Sequence, residues 1–150
     1  MPSVLYWAGV GGGTEHYRCR TPGSALSRQG WTVDHVSDGS QALADVVVLQ
    51  RVLHPDTPVF IQRARSLGCR VVYDIDDWYD GLPDYNPASK EIGGDELAIL
   101  HACLSSVDVV TVSTPELADG YGHLNETVVL PNYLDPDVWT GNDHYRKPRA

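Results

Sequence analysis

The chain has 150 residues, 42% of them hydrophobic, and a formal net charge of −9 from 20 acidic and 11 basic side chains. That apolar share is enough for a sizeable core and argues against wholesale disorder, while so acidic a surface disfavours non-specific nucleic-acid binding through a basic face. Three widely spaced cysteines (Cys19, Cys69, Cys103) without a C-x-x-C argue against a disulfide framework or a structural zinc site and read as buried free thiols.

Val4 to Ala8 predicts a first strand, followed by the glycine cluster Gly9-Val10-Gly11-Gly12-Gly13. Pro22 suits the first turn of a helix that ends at Gln29, before Gly30. Trp31 to Val36 and Val46 to Leu49 predict the second and third strands. Thr57 and Pro58 open a helix through Leu67, stopped by Gly68, and Arg70 to Tyr73 is a fourth strand running into Asp74-Ile75-Asp76-Asp77. After an aromatic and acidic stretch, Trp78 to Pro87, a helix spans about Gly94 to Ser105. Asp108 to Val112 is a fifth strand, Thr114 caps a short helix with Pro115 at its first position, and Thr127 to Leu130 is a sixth strand ended by Pro131-Asn132. Short valine-rich runs of nearly continuous hydrophobicity are the mark of strands buried on both faces. Their alternation with helices predicts an α/β fold, a doubly wound, mostly parallel Rossmann-like sheet with helices on both faces. Residues 1–139 are expected to form this domain, and the polar, aperiodic 140–150 a tail or interdomain linker. The amino terminus lacks the basic start and apolar stretch of a signal peptide, and no run approaches the roughly 20 apolar residues of a membrane helix, so a cytoplasmic protein without a membrane span is expected.

In an open α/β sheet ligands bind beyond the carboxyl ends of the strands. Gly9 to Gly13, Gln50-Arg51, Asp74 to Asp77 and Pro131-Asn132 all fall at such ends. The glycines allow close backbone approach to a ligand. As a dinucleotide fingerprint the cluster is defective, because Thr14 stands where the third glycine belongs and Pro22 lies where the helix should already be under way. Asp74-x-Asp76-Asp77 is the sharpest feature. Three carboxylates in four residues repel one another and need a metal, an arginine, amide donors or a raised pKa to compensate. A divalent-cation site, a phosphatase nucleophile and acid, a sugar-binding acid/base cluster and a plain solvated turn all compete for it. Val71-Val72-Tyr73-Asp74-Ile75-Asp76 resembles the first motif of haloacid-dehalogenase phosphatases, with Asp74 and Asp76 as its carboxylates. Against this, three strands precede the motif, and Lys147 is the only lysine beyond Ser113. Trp78, Tyr79 and Tyr85 suit either stacking on a sugar ring or hinge packing. The six histidines show no metal-ligand spacing; His16, with Arg18, follows the glycine cluster at the cleft, and the others read as surface or capping residues. Asn125-Glu126-Thr127 has the form of a glycosylation acceptor.

Together, Gly11-Gly12-Gly13 with Tyr17-Arg18, Pro22, Leu26 and Gly30, then Asp45 to Arg51, Gly68 to Asp77, Asp108 to Leu117, and Val128 to Asn132 with Asp135, resemble the N-terminal half of a GT-B glycosyltransferase of the family 4, or group 1, type. The likeness runs over residues 3–139. It implies transfer of a sugar from a nucleotide-sugar donor to an acceptor, with no obligatory metal and no cofactor beyond that cosubstrate. In that architecture the N-terminal domain binds the acceptor and a C-terminal domain grips the nucleotide. By the same likeness Gly11, Gly12 and Gly13 approach the donor diphosphate. Asp76 or Asp77 orients the acceptor hydroxyl or acts as its base, and Arg18, Asp74 and Asn132 line the substrate cleft. The glutamate-bearing donor motif of the second domain is not among the 150 residues. The expectation is therefore a half-site that depends on a separate donor-binding domain or on self-association, with a sugar acceptor as ligand. A non-catalytic binding or scaffold domain on the same fold is the alternative, and a phosphatase using Asp74 and Asp76 is a further one.

Overall fold

The computed structural model describes residues 1–37, 44–82, 85 and 92–134. The expected boundary at residue 139 and the polar segment 140–150 lie outside the described residues. Six strands, β1 (Ser3–Ala8), β2 (Thr32–Val36), β3 (Val46–Gln50), β4 (Arg70–Ile75), β5 (Val109–Val112) and β6 (Thr127–Val129), form one all-parallel sheet in the order β2-β1-β3-β4-β5-β6. The helices between them are α1 (Gly13–Glu15), a π-helical turn (His16–Arg20), α2 (Thr21–Arg28), α3 (Thr57–Ser66), α4 (Gly94–Ser106) and α5 (Pro115–Tyr121). This is the doubly wound α/β fold expected from the strand and helix alternation.

Side-chain alternation along the strands divides the core in two. Leu5, Trp7, Val47, Leu49, Val71, Tyr73, Val110 and Val112 face α3, α4 and α5, meeting Ile61, Leu100, Leu104 and Tyr121. Val4, Tyr6, Val46 and Val48 face the opposite way, onto Cys19 and Leu26. Burial on both faces holds for β1, β3 and β4, whereas the edge strands β2 and β6 are half exposed. Thr114 caps α5 as its sequence suggests, its hydroxyl accepting from the Leu117 N–H.

One boundary is corrected. The helix expected to start at Pro22 begins at Gly13, directly after the glycine cluster, and Pro22 lies inside the helical run. Proline cannot donate the next α-helical bond. The turn before it is wound wider, with the Thr21 N–H reaching back to the His16 carbonyl, and the helix continues past the obstacle. The position of Pro22 therefore no longer counts against a dinucleotide site; Thr14 in place of the third glycine still does.

Two glycines of the cluster are demanded by geometry. Gly9 donates to the Gln50 carbonyl at 2.8 Å, and a Cβ there would sit 2.1 Å from the Arg51 carbonyl oxygen. Gly12 has φ +94°, a conformation that disfavours side chains.

Candidate functional site

Because every strand is parallel, the glycine loop after β1, Gln50 at the end of β3, Asp74 to Asp77 at the end of β4 and Asn132 beyond β6 gather at one edge of the sheet. Ala8, Gln50 and Asp74 are in register across β1, β3 and β4. The four segments that the sequence points to thus share one end of the molecule.

Within this edge the three carboxylates have three different environments. Asp74 is saturated. Arg18, carried in by the π-helical turn, donates from Nε to Oδ2 at 2.9 Å and from Nη2 to Oδ1 at 2.5 Å, while the Thr111 hydroxyl donates to Oδ1 at 2.6 Å. The two side chains are 1% and 2% exposed. Arg18 Nη1 goes on to the Leu130 carbonyl and to Asn132 Oδ1 at 3.2 Å. Burial disfavours the guanidinium charge, but the hydrogen bond and charge of Asp74 outweigh it and hold Arg18 above its ordinary pKa. The result is a bidentate lock tying the first helix to β4, β5 and the end of β6.

Asp77 is braced from outside. Its Oδ2 accepts from Arg51 Nη1 at 3.0 Å and from the Tyr79 hydroxyl at 3.1 Å, and Tyr121 donates from its hydroxyl to the Asp77 carbonyl at 3.1 Å. Arg51 holds φ +50° and lies 5.6 Å over the Tyr79 ring. Tyr121, buried on α5, also accepts from the Tyr79 N–H at 3.0 Å, and burial pushes its pKa up to about 12.

Asp76 is the exception. It is half-buried, it takes part in no ion pair among the described residues, and its Oδ1 is enclosed without a hydrogen-bond partner. Burial, then the neighbouring charges of Asp77 and Asp74, raise its pKa, against smaller pulls from Arg18 and from a backbone hydrogen bond at Asp76 itself. A carboxyl poised above its usual range at a strand end is suited to exchange a proton with a bound hydroxyl. Gln50 is the second group of this kind. It is 0% exposed, and neither its Nε2 nor its Oε1 has a hydrogen-bond partner among the described residues. Leaving a buried polar group unpaired costs on the order of 1–3 kcal/mol.

Gly11, Gly12 and Gly13 are exposed, and a Cβ at Gly12 or Gly13 would meet nothing within 4 Å. The space above the loop is open. Of the aromatics, Trp78 packs on Tyr121 at 4.8 Å between ring centroids and fills the place of a side chain at Gly120, while Tyr79 is buried in the Asp77 brace. Both are thus engaged in packing within the fold. Tyr85 is 88% exposed. His16 is half-buried edge-on to Tyr17, His35 stacks on Tyr6, His101 pairs with Asp80 and His123 bonds the Gly120 carbonyl. Asn125 donates to the Leu104 and Val107 carbonyls, so the amide of the glycosylation-like triplet is engaged inside the fold. The cysteines are free and buried, and burial pushes Cys19 and Cys103 up to about 12. Among the described residues no group of three His, Cys, Asp or Glu side chains is arranged to hold a metal ion, and no helix is long and apolar enough to cross a membrane. A shallow recess at the opposite edge offers one carboxylate, Asp45, which already accepts from the backbone and hydroxyl of Ser3.

No family model matches the chain, and no curated protein matches it either.

Two partners were missed in the sequence. Thr111 and Tyr121 are spoken for only by long-range packing. Gln50 had a local signal, an amide closing the apolar run Val46 to Leu49.

Proposed function

We propose that the chain is the acceptor-binding half of a glycosyltransferase that moves a sugar from a nucleotide-sugar donor, with Asp76 as the group that orients or deprotonates the acceptor hydroxyl. The observation that carries this is the state of Asp76: half-buried, with one enclosed oxygen left without a hydrogen-bond partner and a raised pKa at the carboxyl edge, beside an open glycine loop. The loop at Gly11 to Gly13 is the place for the donor diphosphate to approach. A donor-binding domain would face this edge, on the same or another polypeptide. Closing two domains over the edge would exclude water and align donor with acceptor, terms worth several kcal/mol of barrier. The isolated 150 residues are accordingly expected to bind acceptor and transfer negligible sugar. Arg18, Asp74 and Asn132 act here as the frame beneath the cleft.

The phosphatase alternative needs Asp74 as a free nucleophile, and both of its oxygens are engaged in a buried cluster. That weighs against it. The scaffold alternative draws support from the same lock, which converts three candidate binding residues into structure. A screen of nucleotide sugars and candidate acceptors by chemical-shift perturbation, on the wild type and on Asp76→Asn, separates the readings. Acceptor binding lost in Asp76→Asn supports the transferase half. A wild type that binds none of the panel sinks it, and so does robust transfer by the purified monomer.

A further inference from the structure

The Gln50 carboxamide is fully buried with neither its donor nor its acceptor used among the described residues, a rare condition that marks a strain reservoir, a functional role or a missing polar partner. Its place is well defined. In a parallel sheet, residues in register point to the same face, so the Gln50 side chain shares the face of Ala8 and Asp74, the face that receives Arg18. One strand over and two residues on lies Asp76, whose Oδ1 is also enclosed and unpaired.

The chemistry of these two groups restricts what they can take. Asp74 is matched by Arg18 and Asp77 by Arg51, which leaves Asp76 as the carboxylate of the cluster outside any ion pair among the described residues. An anionic group placed against Asp76 would be repelled. A divalent cation calls for several ligands, and no group of three His, Cys, Asp or Glu side chains is assembled for one among the described residues. A carboxamide that donates and accepts, next to a carboxylate that accepts, matches neighbouring hydroxyls, each of which also donates and accepts. The glycine loop at the same edge is exposed, and Gly12 and Gly13 have open space where a side chain would be.

We infer that Gln50 is a ligand-contacting residue of this edge and that, with Asp76, it selects a neutral polyhydroxylated ligand, a sugar and not a phosphate ester or a metal ion. The inference deepens the acceptor reading and rests on it for the identity of the site. Its test uses the full 150-residue chain with glucose, galactose and mannose as probes, followed by NMR titration, alongside thermal unfolding of the wild type, Gln50→Met and Asp76→Asn. At least one probe is expected to bind the wild type, and Gln50→Met to bind it about tenfold more weakly or worse. The same variant should unfold at a higher temperature, because a thioether of similar length replaces an unpaired amide. A purely structural glutamine would give the reverse, a lower midpoint with binding unchanged, and would overturn the inference. If Gln50→Met does not fold, Gln50→Leu takes its place, and failure of both to fold makes Gln50 structural and overturns the inference too. Binding lost in Asp76→Asn but kept in Gln50→Met leaves the acceptor reading standing and removes this one. Binding lost in Gln50→Met but kept in Asp76→Asn upholds Gln50 and removes the role given to the carboxylate. A wild type that binds none of the three probes overturns the inference, while the acceptor reading is judged on the wider panel.

Discussion

Asp74 and Asp76 stand two residues apart at the end of one strand, yet they are opposites. Asp74 is 2% exposed, bidentate to Arg18 and further bonded by Thr111. Asp76 is half-buried, is in no ion pair among the described residues, and keeps an orphaned oxygen and a raised pKa. The same residue type with nearly the same address is locked into a buried cluster in one case and left outside any ion pair among the described residues in the other. What separates them is the π-helical turn, which delivers Arg18 to the first carboxylate and not to the second. A cluster of carboxylates is thus not one site. Its members divide according to which of them a cation reaches.

The largest expected effect breaks the saturated side. Arg18→Met should destabilise the chain by about 3–5 kcal/mol, because it strands the Asp74 charge in a buried position and releases the Leu130 carbonyl. Asp74→Leu should do nearly as much by stranding the guanidinium. The double variant Arg18→Met with Asp74→Leu should recover much of the loss, since no uncompensated charge remains. Chemical denaturation of the four proteins checks this. Losses that simply add would show that Arg18 and Asp74 do not act as a pair, and the contrast with Asp76 would fail.

Next in size is Asp76→Asn. It removes the charge and keeps the shape, so acceptor binding or any assisted transfer should fall while the fold remains. A loss of transfer of about 10²–10⁴-fold is the range for removing a general base. Equal activity in the variant, measured with a donor-binding partner present, would move Asp76 out of the chemistry.

Much of this was legible in the sequence, for local reasons. Apolar runs of strand length, the Thr114-Pro115 helix start and glycines at helix ends carry their structure in short windows, so the order of elements and the shared carboxyl edge could be read. The start of the first helix could not. Pro22 is a helix-start signal by local rules, and only the wider π turn before it makes it tolerable in mid-helix. The division of the acidic cluster was hidden for the same kind of reason. Arg18 is 56 residues from Asp74, and Thr111 is 37 residues from it. Which carboxylate an arginine reaches is a property of sheet register, not of spacing along the chain.

A smaller effect is expected at Asp77. Its partner Arg51 and its own side chain are 24% and 51% exposed, so the ion pair is screened by solvent. Asp77→Asn should cost no more than about 1 kcal/mol and should respond to salt. Tyr121→Phe removes a donor to the Asp77 carbonyl and an acceptor for the Tyr79 N–H, and should cost more than Asp77→Asn. The opposite ranking would make the carboxylate the main brace of this turn.

The smallest effect sharpens the comparison through pH. Asp76 has a folded pKa raised above its ordinary value of 3.8, so between 3.8 and the raised value the folded chain binds this proton more than the unfolded chain does. The stabilisation from that proton is complete below 3.8 and is lost as pH rises through the raised pKa. Asp76→Asn has no such proton to lose. The stability of the variant relative to the wild type should therefore climb as pH rises from 3.8 and then level off once Asp76 is fully ionised in the folded wild type. Denaturation midpoints of the two proteins across this interval read it directly. The sign decides the matter, because a carboxylate held by a cation would be depressed, and the wild type would then gain on the variant as pH rises. A relative stability that falls with pH would mean that Asp76, like Asp74, is claimed by an arginine in solution.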